Sequence, residues 1–364
     1  MDKRIEILMN NLPDDMDAAL LSGYDILRYY TRQSVPDSFL MVTRSSAWFF
    51  ASPFCRDKAG NIEDVVYVEG NRILPRLAEI LEKEKDNIKT IAVQADQMTV
   101  AKLEQLQKIV PCRVTADGRL DEILYQQSCR KTAEEIQAVQ DAQDAADKMF
   151  TEVLNYVHAG MDDMELQKIV GVLLRDFGSQ RASFDHVTGV GVNTSMPHVR
   201  PDGTVIQPGD FVMLDVGATI DGYGSDMTRM FAVEYADDRK REIYDIVRQA
   251  QKAGCDAIEL GKPCCEIDRA SRDIIGRAGY GQYYMHGLGH SIGIPVPRGP
   301  RFNQTDRTPV FSGLIMTVEM CIRDSYDPAQ KEKKDRIGLM GHLDVVPEGT
   351  GWLYPCLLYT SRCV

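Results

Sequence analysis

The chain lacks any apolar run approaching the ~18 residues that cross a bilayer, so no transmembrane helix is expected. No signal peptide is expected either, because MDKRIEILMNNLPDDMD has no long apolar segment behind its basic residues. Positive charge is in deficit. A formal net charge of -12 argues against a nucleic-acid partner and against binding to an anionic membrane surface, both of which attract basic chains. A cysteine framework is also missing. Nine cysteines cannot all pair internally, and the adjacent Cys264 and Cys265 suit neither a zinc CxxC motif nor an easy disulfide. They read as the reduced thiols of a cytosolic protein. What remains is the composition of a soluble globular chain, 44% hydrophobic and 26% charged, with 364 residues to share between two domains.

The informative stretch is 193–231, NTSMPHVRPDGTVIQPGDFVMLDVGATIDGYGSDMTRMF. Two short apolar runs in it end in acids. Residues 211–214 deliver Asp215; residues 218–220 and the turn Asp221-Gly222-Tyr223-Gly224 deliver Asp226. Both runs have strand length, and Asp-Gly between them is a strong hairpin signal. A hairpin would bring the two carboxylates to one spot. Like charges repel when buried, so a proton or a cation must sit between them. Divalent metals take such oxygen ligands. The competing reading makes Asp221 and Asp226 ordinary turn residues and Asp215 a strand cap. Three further features favour the metal. His198 precedes the hairpin in Met196-Pro197-His198. His290 lies in MHGLGHSIG (285–293), where glycines let backbone approach closely. Glu319 ends the apolar run 314–318. Asp, Asp, His and Glu on strands make a carboxylate-rich metal site with one imidazole.

Around this stretch the periodicities are regular. Residues 1 to about 128 read as a small α/β domain. Ile5, Leu8, Met9 and Leu12 fall at helical spacing. Strand-like runs at 38–42, 47–50, 64–68, 90–93 and 112–114 are interspersed with helical stretches at 74–85 and 99–109, which suggests a sheet with helices packed on it. This part holds no catalytic cluster. A hinge is expected near Cys129-Arg130-Lys131. Thr132-Ala133-Glu134-Glu135 then has the form of a capping box. It opens a long helix from 133 to about 158, with Ile136, Val139, Ala142, Ala146 and Phe150 on one face. His158 reads as a favourable charge at the end of that helix, and His186 as a strand-edge residue without a role. Helices at 164–177, 236–260 and 265–278 follow, the first stopped by Gly178.

The order LDVGATIDGYGSDMTR, then HGLGHSIG, then IMTVE resembles the pita-bread metallopeptidases, the group of methionine aminopeptidase, Xaa-Pro aminopeptidase, prolidase and creatinase. The aspartate spacing, SDMTR and GLGH are specific together, though none is alone, and the likeness covers most of 1–319. It implies an α/β (α+β) chain with a creatinase-like N-terminal domain (1–128) and a pita-bread catalytic domain (129–320) that is truncated at its C-terminal end. It further implies two divalent metal ions (manganese, cobalt or zinc) sharing a water or hydroxide. Asp215 would bind one ion, Asp226 would bridge both, and His290 and Glu319 would bind the other. His198 would contact the substrate and steady the tetrahedral intermediate, and His286 would line the substrate pocket. The implied activity is that of an Xaa-Pro aminopeptidase or Xaa-Pro dipeptidase, acting on a peptide with proline in second position, in a cytosolic homodimer. The N-terminal domain separates the chain from a bare methionine aminopeptidase. The four intact ligands favour a peptidase over creatinase, which does not need them.

Two departures stand out. Seven residues beyond the metal-binding histidine the family commonly has a His-Glu pair; here Pro297 and Arg298 occupy those positions, so a non-catalytic pita-bread binding protein is the alternative. After Glu319 the family continues with a turn, another strand pair and a last glutamate bridging both metals. Here Glu332 lies in a charged run and Glu348 in a Pro-Glu-Gly turn, neither in strand context. Instead GHLDVVPEGTGW (341–352) resembles the aminoacylase and dipeptidase zinc exopeptidases, where His342 would be a zinc ligand and Asp344 would orient it. One His and one Asp make no catalytic zinc site, since three protein ligands are usual. The flanking strings MCIRDS and LLYTSRCV resemble adaptor sequence, so 321–364 reads as a foreign, chimeric tail. Its apolar run 337–340 is expected to pair with the sheet edge left open, and the rest to be loop.

Overall fold

The computed structural model describes residues 3–294, 299–323 and 338–345, with strand segments 320–323 and 338–345 described by their backbone. The chain divides into two compact units, one running to Cys129 and one starting at Arg130.

In the first unit α1 (Lys3–Asn11), β1 (Ala18–Leu21), α2 (Tyr24–Thr31), β2 (Phe39–Thr43), β3 (Ala47–Ala51), the single turn α3 (Arg56–Ala59), β4 (Val66–Glu69), α4 (Ile73–Lys83), β5 (Thr90–Val93), α5 (Val100–Ile109), β6 (Arg113–Thr115) and α6 (Arg119–Cys129) follow in order. They build one sheet in the order β4-β3-β2-β1-β5-β6. Its centre is β1, antiparallel to β2 and parallel to β5. Ala18 and Leu20 point to one face, as alternate strand residues must, and pack with Met41, Phe50, Ile91 and Val93 beneath Leu77 and Leu81 of α4 and Leu106 of α5. Periodicity missed β1 because AALL carries no β-branched residue and no polar alternation. It is a wholly buried strand, and burial rather than propensity selects its conformation.

The second unit opens with α7 (Ala133–Val153) and α8 (Asp163–Asp176). Thr132 caps α7: its hydroxyl accepts from the Glu135 N–H (3.3 Å) while Glu135 Oε2 accepts from the Thr132 N–H (2.9 Å). The helix ends five residues before His158, which is exposed and approaches the Ala159 carbonyl instead (2.8 Å). Residues 154–156 are exposed, so no packing sustains further turns there. The strands that follow are β7 (Arg181–Ala182), β8 (Val187–Val190), β9 (Phe211–Val216), β10 (Ala218–Ile220), β11 (Tyr223–Gly224) and β12 (Met227–Ala232). After α9 (Asp238–Asp256) and α10 (Cys264–Arg277) come β13 (Gly289–His290), β14 (Arg301–Phe302), β15 (Met316–Arg323) and β16 (Gly338–Val345).

Strand β9 is central to this unit, antiparallel to β8 on one side and β12 on the other. Val212, Leu214 and Val216 face a core lined by Ala142, Met149, Val170 and Leu174 of α7 and α8. Phe211 and Met213 face a second core with Met230, Ile243, Val247, Ile267, Leu288, Met316 and Val318, under α9 and α10. Asp215 shares the parity of Phe211 and Met213, so it stands at the end of this second face.

The last strand pair corrects the expectation for the tail. β16 spans Gly338–Val345, and its eight residues pair antiparallel with all of β15, five beyond the run 337–340. An open strand edge is a row of unpaired backbone donors and acceptors, and a following segment of sufficient length satisfies them along its whole length. The register sets Glu319 opposite His342 and Thr317 opposite Asp344. Pro297, Arg298, Glu332 and Glu348 lie outside the described residues.

Candidate metal centre

Two antiparallel strand pairs carry the acids and the imidazole. In the first, Asp215 of β9 pairs with Thr228 of β12, and Val216 with Met227. The same register continues past the ladder, where the Ser225 N–H donates to the Ala218 carbonyl (2.9 Å). Asp226 therefore stands opposite Gly217 and two residues from the partner of Asp215. That makes Asp215 and Asp226 diagonal neighbours on one face. The chain reverses between β10 and β11 through Asp221 (φ 49°) and Gly222 (φ 83°), with Ile220 opposite Tyr223. Two consecutive left-handed residues are what a two-residue hairpin of this hand demands, and Asp-Gly supplies them at low cost.

The second pair repeats the construction. Ser291 bridges to Met316, the His290 N–H donates to Thr317 Oγ1 (3.0 Å), and the Glu319 N–H donates to the Leu288 carbonyl (2.5 Å). His290 is thus opposite Thr317, and Glu319 lies two residues farther along, again on the diagonal. Gly289 makes this possible: a Cβ there would stand 2.0 Å from the Thr317 carbonyl oxygen.

The two constructions meet. His290 Nε2 lies 3.0 Å from Glu319 Oε1 and 3.4 Å from Asp226 Oδ2. One donor atom from each of Asp226, His290 and Glu319 lies within 4.8 Å of the others, the arrangement of a cation site. Thr317 Oγ1 sits 2.6 Å from Glu319 Oε1 and fixes that carboxylate's orientation. The carboxylates are nearly buried, 10% and 13% exposed, whereas the imidazole is 40% exposed, so the trio opens outward past His290. Burial alone would lower the pKa of His290; the flanking Asp226 and Glu319 overcome this and hold it up at about 11. The imidazole is therefore protonated at neutral pH, and the positive charge that the two acids require stands where a cation would. Two carboxylate oxygens and one imidazole nitrogen form a donor set that suits a hard or borderline divalent ion.

The other sequence-derived candidates lie around this trio. Asp215 is buried on the same face, diagonal to Asp226, but is not one of the three converging groups. His198 is exposed in the turn after the helical segment Gly191–Ser195, and is likewise outside the trio. His286 is half-buried four residues before His290, its Nδ1 2.6 Å from the Gly287 carbonyl and its ring edge-on to Tyr284 at 5.0 Å. Sequence reasoning overlooked Thr317, although its place two residues before Glu319 on one strand put both on the same face. It also gave no part to His186, whose Nε2 lies 3.2 Å from the carbonyl of Gly217, the residue opposite Asp226. Burial lowers the pKa of His186, so the ring is neutral and the nitrogen facing that carbonyl is the donor.

Comparison with known proteins agrees with this architecture. Residues 137–343 match Metallopeptidase family M24, and residues 8–123 match the Creatinase/Prolidase N-terminal domain. The Xaa-Pro dipeptidase of Pyrococcus horikoshii is 27% identical over 318 residues, 87% of this chain and 88% of that protein. The Xaa-Pro dipeptidase of Pyrococcus furiosus is 33% identical over 201 residues, 55% of this chain and 58% of that one. A solved structure of an Xaa-Pro dipeptidase from Bacillus anthracis superposes with a TM-score of 0.87 at 26% identity, covering 94% of each chain. The chain belongs to metallopeptidase family M24. Its fold is the one the motifs implied, a creatinase-like N-terminal domain followed by a pita-bread domain, and the family match runs past Glu319 into β16. Among the described residues no helix is long and apolar enough to cross a membrane.

Proposed function

We propose that this protein is a metal-dependent exopeptidase that hydrolyses the bond between a residue and a following proline, as an Xaa-Pro dipeptidase or Xaa-Pro aminopeptidase. The observation that carries the reading is the convergence of Asp226, His290 and Glu319 in an M24 fold whose relatives are named Xaa-Pro dipeptidases. Asp226, His290 and Glu319 would hold one divalent ion, and Asp215 with Asp226 a second, of manganese, cobalt or zinc. When bound, such ions polarise a scissile carbonyl and make water a stronger nucleophile near neutral pH.

The chain's own groups do the rest. Thr317 holds the Glu319 carboxylate in one rotamer, and the β13–β15 contact holds His290 against it, so the donor set is arranged before substrate arrives. His198, on an exposed turn, would donate to the carbonyl oxygen as it gains charge. His286 would line the substrate pocket beside Tyr284. The working state would be a cytosolic homodimer. Because among the described residues no glutamate follows Glu319 on a strand, Asp226 would be the sole protein bridge between two ions, and this chain would keep one ion tightly at most and turn over slowly. The chimeric origin of 321–364 belongs to the same reading.

Metal analysis after dialysis, together with hydrolysis of alanyl-proline in manganese or cobalt, tests it. One retained ion and slow release of alanine are expected. Full turnover with two retained ions would mean that a tail residue supplies the missing ligand. A retained ion with no cleavage of any proline-containing di- or tripeptide would favour the binding-protein alternative raised by Pro297 and Arg298.

A further inference from the structure

A partly buried ion pair on α10 touches the segment that leads into the metal centre. Asp268 is 1% exposed, and its carboxylate receives Arg272 one helical turn later in a two-pronged contact, Nε to Oδ2 at 2.8 Å and Nη2 to Oδ1 at 3.0 Å. The guanidinium does not stop there. Its Nη1 donates to the Tyr284 carbonyl (2.9 Å) and its Nη2 to the His286 carbonyl (2.8 Å), while its Cζ lies 4.1 Å from the centre of the Tyr284 ring. Asp268 Oδ1 also accepts from the Leu288 N–H (3.1 Å). The pair thus grips the backbone at three alternate residues, 284, 286 and 288, directly ahead of His290. Its base is fixed in turn: the Ser271 hydroxyl donates to the Ala250 carbonyl (2.7 Å), locking α10 to α9.

We infer that Asp268 and Arg272 form a positioning pair for the metal centre, setting where His286 and His290 stand. A buried carboxylate and a partly buried guanidinium are a weak source of net stability, since taking the charges out of water costs about as much as their attraction returns. Their five hydrogen bonds to each other and to the segment define its path instead. The segment needs such guidance, because of its residues 284–288 only Tyr284 and Leu288 are buried. No other residue type reproduces the contact. A lysine keeps the charge but has no rigid fork with which to span two carbonyls while meeting a carboxylate side-on.

The inference rests on the metal-centre reading, and its test keeps the two apart. Purified full-length chain is titrated with Co²⁺, following the visible absorption of the bound ion and its competition with a chelator. Thermal melts of the metal-free protein run alongside. Arg272→Lys is expected to weaken Co²⁺ binding 10- to 100-fold, the range typical of groups that orient ligands, and to alter the absorption band, while the metal-free melting temperature moves by only a few degrees. Asp268→Asn, which keeps an acceptor for Leu288, is expected to move affinity in the same direction by less. A lowered melting temperature with unchanged Co²⁺ affinity and spectrum would make the pair merely structural and overturn the inference, as would no change in either variant. His290→Ala is the control: if it binds Co²⁺ like the unaltered chain, the metal-centre reading itself fails.

Discussion

Gly289→Ala is the most direct probe of how the centre is built. The added methyl would stand 2.0 Å from the Thr317 carbonyl oxygen and 2.8 Å from its carbon. Ordinary carbon–oxygen contact begins near 3.4 Å, and the obstacle is backbone rather than a side chain that can swing aside. β13 and β15 must therefore part by more than ~1 Å. Overpacking of this kind costs about 1–3 kcal/mol. For a unit of this size that is a fall of roughly 2–4 °C in melting temperature per kcal/mol. The functional cost should be larger than the structural one. His290 Nε2 and Glu319 Oε1 are 3.0 Å apart, and a further ångström takes them out of hydrogen-bonding reach. Misplacement by about 1 Å can cost on the order of 100-fold in a preorganised site. Calorimetric melts and Co²⁺ titration of the variant give the two quantities separately. A variant that melts and binds Co²⁺ like the unaltered chain would refute the claim that close strand approach at Gly289 makes the site.

Asp226→Asn is expected to abolish metal retention on dialysis, because a neutral amide leaves Glu319 as the one anion against His290 among the described residues; retention by the variant would remove Asp226 from the ligand set. The metal-free protein carries a protonated His290, so divalent-ion uptake at pH 7 is expected to release about one proton, measurable by calorimetry in buffers of different ionisation enthalpy. No release would contradict the raised pKa. Since the folded pKa of about 11 lies above the unfolded value near 6.5, this group's stabilisation is complete below pH 6.5 and fades as pH rises toward 11; metal-free melting temperatures that instead rise across that window in the unaltered chain relative to His290→Ala would show the sign to be wrong. Tyr223→Phe removes the hydroxyl that donates to buried Glu135 at 2.9 Å and is expected to cost about 1.5–3 kcal/mol in urea unfolding; a change below ~0.5 kcal/mol would mean that the link between α7 and the hairpin is energetically idle.

Much of this arrangement was legible in the residues. The capping box at Thr132, the Asp-Gly turn and the strands carrying Asp215 and Glu319 each rest on local chemistry, which a short window contains. Ala18–Leu21 was invisible because a fully buried strand needs no alternation. The end of α7 was misjudged because exposure, not composition, ends it at Val153. Within the site, the sequence grouped Asp215, Asp226, His290 and Glu319 as one ligand set, but did not show that Asp226, His290 and Glu319 would form the tight trio with Asp215 beside it. That follows from the registers of two strand pairs far apart in sequence. The i, i+2 spacing of Thr317 and Glu319 could have announced that contact, whereas the Asp268–Arg272 pair reaches the segment 284–288 from another element, so no spacing rule announces it.

The division of the centre between two strand pairs also fixes an order of events. Asp215 and Asp226 come from one hairpin and can be neighbours as soon as that hairpin closes. His290 and Glu319 arrive only after α9 and α10 have been laid down and β13 has met β15. Contacts of such long sequence separation form late, because loop closure must precede their gain. A chain still emerging from the ribosome can therefore hold only the acidic half, with two carboxylates and no imidazole. On the proposed ligand set, tight ion capture would mark the completed domain rather than seed it, and an ion supplied early would find a half-site that releases it.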